Sequence, residues 1–299
     1  MQNMQEKELK IPGGSLFYEV RAEGIAITRF QGMASEVKVP EHVENTSVTG
    51  ICKKAFLSRK NLRRVVLPET TQEIDDWAFA YCDALEQVIM PERRIRFGKA
   101  VFMECGNLTR IASPTDSVPA ELLAAAVRDF EAYYLLDMTE AGSAEWLKKW
   151  DAKLAAILHT PDQEGYSKQI LCGEEDYGST DLEAYKSNSR RRKVRLALLR
   201  CLFSQGLSQG LKEELQEYLQ SHTKGEESEE TWQVVLQEHG EHREYYELFT
   251  QLGCVNKNNL NEILTDIGSE YPEMKAYFLR SQEGHAEKAD FFDSLDLDI

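Results

Sequence analysis

Between Ala55 and Ile111 the apolar positions return on a fixed beat. Ala55-Phe56 with Leu62, Ala78-Phe79 with Leu85, and Val101-Phe102 with Leu108 recur every 23 residues, and Pro68 and Pro91 keep the same interval. A period of this length marks a solenoid, in which each repeat buries its apolar side only against its neighbours. Within a copy, Leu62, Val65 and Leu67 predict one short inward-facing strand, and Ile74 starts the next edge. Phe79 is expected between Phe56 and Phe102 in an aromatic ladder along the axis. Upstream, Leu16, Tyr18 and Val20, then Ile25, Ile27 and Arg29, alternate about Glu23-Gly24. That alternation predicts a β-hairpin with one face buried. It precedes a first repeat lengthened between Pro40 and Ala55, and is expected to cap the open end of the solenoid.

After Ile111 the beat stops and the period becomes helical. Ser117 is positioned to cap a helix beginning at Val118-Pro119, with Leu122, Leu123, Ala126, Val127, Phe130 and Tyr134 on its apolar side. A second helix follows Gly142-Ser143, carries Trp146, Leu147, Trp150, Leu154, Ile157 and Leu158, and ends near Thr160-Pro161. Residues 172–180 read as a polar loop. Thr180-x-x-Glu183 is a capping box that opens a long helix through Leu202. Leu211–Leu219 predicts a further helix, and His222–Glu230 a charged linker. Thr231–Leu252 predicts one helix stopped by Gly253. Asn259 caps Leu260–Ile267, and Pro272–Arg280 is the last helix expected.

The repeat phrase carries a resemblance. "GIAITRFQGMASEVKVPEHVENTSVTGICKKAF" followed by "LRRVVLPETTQEIDDWAFAYCDALEQVIMP" resembles the BspA-like leucine-rich repeat proteins, whose copies close on Ala-Phe-x-x-Cys-x-x-Leu. Cys82 and Cys105 fall on the cysteine of that phrase, Arg59 replaces it in the first copy, and Val101 replaces the alanine. The resemblance spans roughly Gly14–Ile111. It implies a right-handed solenoid of short strands whose surface binds other molecules. Between apolar layers, such cysteines are expected to behave as small core hydrophobes.

Charge separates the two halves. Through Ile111 there are 16 basic against 15 acidic residues, which leaves 19 against 36 of the totals of 35 and 51 for the remainder. So acidic a half repels nucleic acid and anionic lipid at long range. The opening residues lack the apolar core of a secretory signal, and no apolar run reaches the roughly 18 residues of a membrane span. The six cysteines, Cys52, Cys82, Cys105, Cys172, Cys201 and Cys254, include no CxxC pair. Reduced thiols and a cytoplasmic location are expected, with surface export the alternative if a leader has been removed.

Chemistry-bearing motifs are sparse. His239-Gly-Glu-His242 has its histidines three apart with an intervening glycine, where a zinc helix needs HExxH, so a solvated helix face is expected. The acidic loop lacks the ligand periodicity of a calcium site. No phosphate-cradling glycine loop or nucleophile motif occurs, and no cofactor or metal is expected. Two basic clusters remain. Arg93, Arg94, Arg96 and Lys99 lie in the turn of one repeat, beside Arg63, Arg64 and Arg110 on neighbouring rungs, and form the first candidate contact surface. Arg190, Arg191 and Arg192 open a basic run on a helix; ion pairing with nearby carboxylates competes there with docking of an acidic partner or a phosphate.

The expected architecture is α+β. A capped leucine-rich-repeat β-solenoid over 1–113 precedes an all-α helical array over 114–285 and an acidic tail over 286–299, which is expected to be disordered or to dock on a neighbouring surface. The expected role is a non-enzymatic interaction or scaffold module that binds a protein partner through the repeats. The alternatives are an enzyme or ligand sensor with a pocket where solenoid meets helices, and a cell-surface adhesion protein.

Overall fold

The structure, a computed structural model, describes residues 6–167 and 181–281. The chain divides into two compact units, Met1–Lys153 and Leu154–Ile299.

The first unit opens with an antiparallel meander of β1 (Lys7–Ile11), β2 (Gly14–Arg21) and β3 (Gly24–Gly32). The predicted hairpin is present, with its reversal at Ala22-Glu23 and one more strand in front. Gly24 starts β3 at φ 134°, and a Cβ there would lie 2.7 Å from the Ser47 carbonyl, so only glycine fits. Leu16, Tyr18, Ile25, Ile27 and Phe30 form the buried face of the meander.

The repeats then build two sheets. β4 (Glu36–Lys38), β7 (Arg64–Val66), β9 (Gln87–Ile89) and β11 (Arg110–Ala112) form a parallel sheet in the order β11-β9-β7-β4. β6 (Thr46–Ile51), β8 (Glu73–Ile74) and β10 (Arg96–Phe97) extend parallel from β3, and β5 (His42–Val43) pairs with β6. Val37, Val65, Val88 and Ile111 hold equivalent positions, and all four are buried.

The third side of each rung is a run of tight turns. It places two residues in the left-handed region, Lys54 and Ser58, Trp77 and Tyr81, Ala100 and Glu104, with φ between 51° and 61°. The same torsions recur 23 residues apart although none of the six is glycine.

The aromatic ladder forms, and it is one ring longer than expected. Phe30, Phe56, Phe79 and Phe102 stack with centroid separations of 5.6, 4.9 and 5.5 Å. Phe30 comes from the cap, so the meander continues the core and does more than cover it. The Cys82 thiol donates to the Phe56 carbonyl at 3.0 Å and the Cys105 thiol to the Phe79 carbonyl at 3.1 Å. Both are core residues that satisfy a buried backbone acceptor. Arg59, at the same position one rung earlier, lies 6.0 Å from the Phe30 ring instead.

Helix α1 (Ala120–Arg128) packs on β11 with seven of its nine residues buried. Ser117 does not cap it. Pro119 precedes the helix without a side-chain bond, while the Ser117 hydroxyl donates to Glu92 and contacts Ser113. The helix also ends before Phe130, so Tyr134 falls in a short 3-10 turn (Tyr133–Leu135) and is exposed. Helix α2 (Ala144–Leu158) ties this segment down: Trp146 Nε1 donates to the Leu135 carbonyl and Trp150 Nε1 to that of Leu122. Helix α1 packs on the last rung, and the first compact unit extends past residue 113 through α1 to Lys153, within α2.

The second unit is helical, and no strand follows Ala112 among the described residues. Helix α3 (Leu182–Leu202) packs against α4 (Gln209–Ser221), α5 (Glu230–His239) and α6 (Arg243–Gln251); α7 (Leu260–Ile267) and a helical stretch over 272–281 follow. The Asp181 carboxylate accepts the Glu183 N–H at the start of α3, and Thr180 lies outside the described residues. The single helix expected over Thr231–Leu252 is two. The break follows Gly240, which is still helical, and His242 turns to φ −100° and ψ 99°; a Cβ at Gly240 would stand 2.6 Å from the Tyr271 ring, so glycine lets that ring pack there. The Asn259 side chain bonds the carbonyls of Lys224 and Cys254 and makes no bond to the start of α7. The expected acidic loop over 172–180 and the tail over 286–299 also lie outside the described residues.

Candidate protein-interaction surfaces

The repeat period dictates which side chains meet, because residues 23 apart stand on adjacent rungs. Arg63 pairs with Glu86 at 3.0 Å and Arg96 with Glu73 at 2.9 Å, both across that interval. Glu36, Arg64, Gln87 and Arg110 stand in register across the four-stranded sheet. Arg64 bonds Glu36 and Gln87, and Arg110 ends the row on Glu121 and Asp116. These cations are already partnered within a charge ladder.

Arg93, Arg94 and Arg96 do not join that row, which corrects the expectation of one cluster. Arg96 lies in β10 of the seven-stranded sheet, and Arg93 and Arg94 lie in the loop that leads to it. Arg93 donates to the Glu69 carbonyl at 3.3 Å. Arg94 is 84% exposed and approaches Asp137 at 3.6 Å. Lys99 follows on the turn side, where its backbone N–H donates to Asp76.

The basic run of α3 is committed inward. Arg190 bridges Asp162 at 2.8 Å and Glu230 at 3.4 Å, and Lys193 reaches Asp162 at 2.7 Å. Arg191 and Arg195 share Glu238. The paired cations hold the carboxyl groups of Asp162 and Glu238 below their usual range against the opposing effect of burial. Arg192 lines a cavity of about 390 Å³ with Tyr185, Asn188 and Glu164. The triplet therefore does not present one basic stripe.

His239 is also not the solvated residue its motif suggests. Its ring stacks on Tyr245 at 3.5 Å with 2° between the planes, and burial pushes its pKa down to about 4. His242 stands at the start of α6, and no group of three or more metal-ligating side chains occurs among the described residues.

A cavity of about 570 Å³ lies beside the last rung, lined by Gly98–Ala100 and Phe102–Gly106 together with Val127, Arg128, Glu131 and Tyr133. Burial pushes the Cys105 thiol and the Tyr133 hydroxyl up to about 12, so neither is ionised near neutral pH. The cavity offers hydrogen bonds and apolar contact, without an activated nucleophile.

Short parallel strands on a 23-residue repeat, with inward valines and a phenylalanine ladder, define a leucine-rich-repeat solenoid. Residues 33–119 match the BspA type leucine rich repeat region in 6 copies. Among solved structures, the chain is similar to a leucine-rich repeat protein from Bacteroides capillosus ATCC 29799, at 26% identity over 36% of this chain and 83% of that one, with a TM-score of 0.31. It is also similar to a leucine rich cell surface protein from Faecalibacterium prausnitzii A2-165, at 24% identity over 34% of this chain, with a TM-score of 0.30. The T. pallidum leucine rich repeat protein shares 26% identity over 34% of this chain, with a TM-score of 0.28. The matched part spans 29% of the second protein and 59% of the third. No curated protein matches. The helices among the described residues include none long and apolar enough to cross a membrane.

Proposed function

We propose that this chain is a non-enzymatic interaction module and that Arg93, Arg94 and Arg96 mark its contact surface, which takes an acidic segment of a partner protein. The observation that carries this reading is the exposure of the arginines in β10 and in the loop just before it. Arg94 is 84% exposed and Arg96 69%, and ion pairs at such exposure contribute little to folding. Arg63, Arg64 and Arg110, by contrast, are held in the ladder of the other sheet and serve as a secondary surface. Free thiols that donate hydrogen bonds in the core support a reducing compartment for the encounter. The test is affinity capture with the full chain, followed by titration of the captured partner against the wild type and Arg93→Glu/Arg94→Glu. Both sites are exposed, so the variant retains its unfolding temperature. Affinity is expected to fall at least about tenfold, and its salt dependence to flatten. Unchanged affinity and salt dependence would overturn the assignment.

A further inference from the structure

On the turn side of the solenoid, each rung hands three backbone N–H groups to the next. Lys54, Phe56 and Ser58 donate to the carbonyls of Asp76, Ala78 and Ala80 at 3.1, 2.7 and 2.9 Å. Trp77, Phe79 and Tyr81 donate to those of Lys99, Val101 and Met103 at 3.0, 3.0 and 2.8 Å. In the last rung the equivalent donors are Ala100, Phe102 and Glu104, and no further rung follows. The Phe102 N–H is taken by the Tyr133 hydroxyl at 2.9 Å, which stands in for the missing carbonyl. Neither the Ala100 nor the Glu104 N–H has an acceptor among the described residues.

The unfilled donors belong to residues that line the cavity of about 570 Å³. That volume lies within the range of roughly 300–1,000 Å³ usual for ligand sites. Met103 and Val127 supply apolar wall, Lys99 stands with Glu104 and Glu131, and Arg128 is paired with Asp129. A row of unpaired N–H groups is a template for another chain, which supplies its own carbonyls. Charges of mixed sign around the cavity favour an occupant without net charge over a strongly acidic or basic one.

We propose that the open last rung is a peptide-docking site. A short segment of a partner protein, without net charge and mainly apolar, lies along it beside the Tyr133 hydroxyl. Its carbonyl oxygens accept from the Ala100 and Glu104 N–H groups, on either side of the bond already closed by Tyr133. This site is separate from the arginine surface and does not depend on it.

The test is amide exchange by NMR on the full chain, with an end-blocked peptide of the sequence Gly98–Cys105 as the probe. The carbonyls of Lys99, Val101 and Met103 in that stretch fill the same role one rung earlier, and the peptide is net neutral. The Ala100 and Glu104 amides are expected to exchange fast in the free protein and to slow about tenfold with millimolar peptide. Gly106→Trp is the blocking variant: it lines the cavity and a Cβ there meets no atom within 4 Å, so the indole enters without displacing backbone. It is expected to abolish the slowing, whereas Gly106→Ala and Arg93→Glu/Arg94→Glu retain it. Three results would each overturn the proposal: protection of both amides before peptide is added, no slowing at millimolar peptide, or equal slowing in Gly106→Trp.

Discussion

Replacement of Phe79 tests whether the solenoid is held rung by rung. The Phe79 side chain is fully buried, with one ring at 4.9 Å and another at 5.5 Å. Phe→Ala in a core costs about 3–5 kcal/mol. Each ring pair adds about 0.5–1.5 kcal/mol beyond area. Phe102 has one stacking neighbour in the ladder, so Phe79→Ala is expected to exceed Phe102→Ala by about 1 kcal/mol, the value of one ring pair. The assay is urea unfolding followed by near-ultraviolet circular dichroism, with Leu substitutions for double-mutant cycles. Phe56 and Phe79 should couple by about 1 kcal/mol, while Phe30 and Phe79, separated by a rung, should add within about 0.5 kcal/mol. Coupling between Phe30 and Phe79 as large as that between neighbours would refute nearest-neighbour packing as the source of stability.

Further expectations address the helical unit and the turns. The His239 ring is half-buried in its neutral form: the unfolded chain takes up a proton below about pH 6.5 and the folded chain only near 4. Stability should therefore be complete above that window and fall as pH drops through it. In His239→Phe, which keeps a ring against Tyr245, the loss of melting temperature from pH 7 to 4.5 should shrink; an identical loss would exclude His239 as the cause. Arg190→Ala leaves Asp162 with Lys193 alone and removes the cation beside the carboxylate of Glu230, whose side chain is 7% exposed; it should cost about 2 kcal/mol in chemical unfolding, short of the 3–5 for a fully buried pair. Ser58→Gly relieves a left-handed residue at φ 57° and should leave stability unchanged or raise it by up to about 1 kcal/mol, whereas Ser58→Val should lower the melting temperature. Tyr133→Phe leaves the Phe102 N–H without its acceptor and should cost about 1 kcal/mol by the same assay.

The repeat half was legible because its contacts are periodic. A residue in a solenoid meets the residue one period away, so the interval of 23 names the partners of Phe79, Arg63 and Arg96 before any coordinates exist. The buried cysteines followed from the same register. Other features depended on contacts that no local pattern encodes. Phe30 joined the ladder because β3 pairs in parallel with β6, and the alternation of a hairpin does not reveal what lies beyond its edge. Position 240 has to be glycine because the ring of Tyr271, thirty-one residues on, packs against it. Arg190 turned inward because Asp162 and Glu230, 28 and 40 residues away in opposite directions, converge on it. The open donors of the last rung are likewise invisible in a repeat that reads the same in every copy. By itself, then, the sequence determined the solenoid, its period and its core, since each of these rests on spacing along the chain. Tertiary structure alone decided which charges are spent on partners and which backbone groups are left over, because both depend on elements that spacing does not relate.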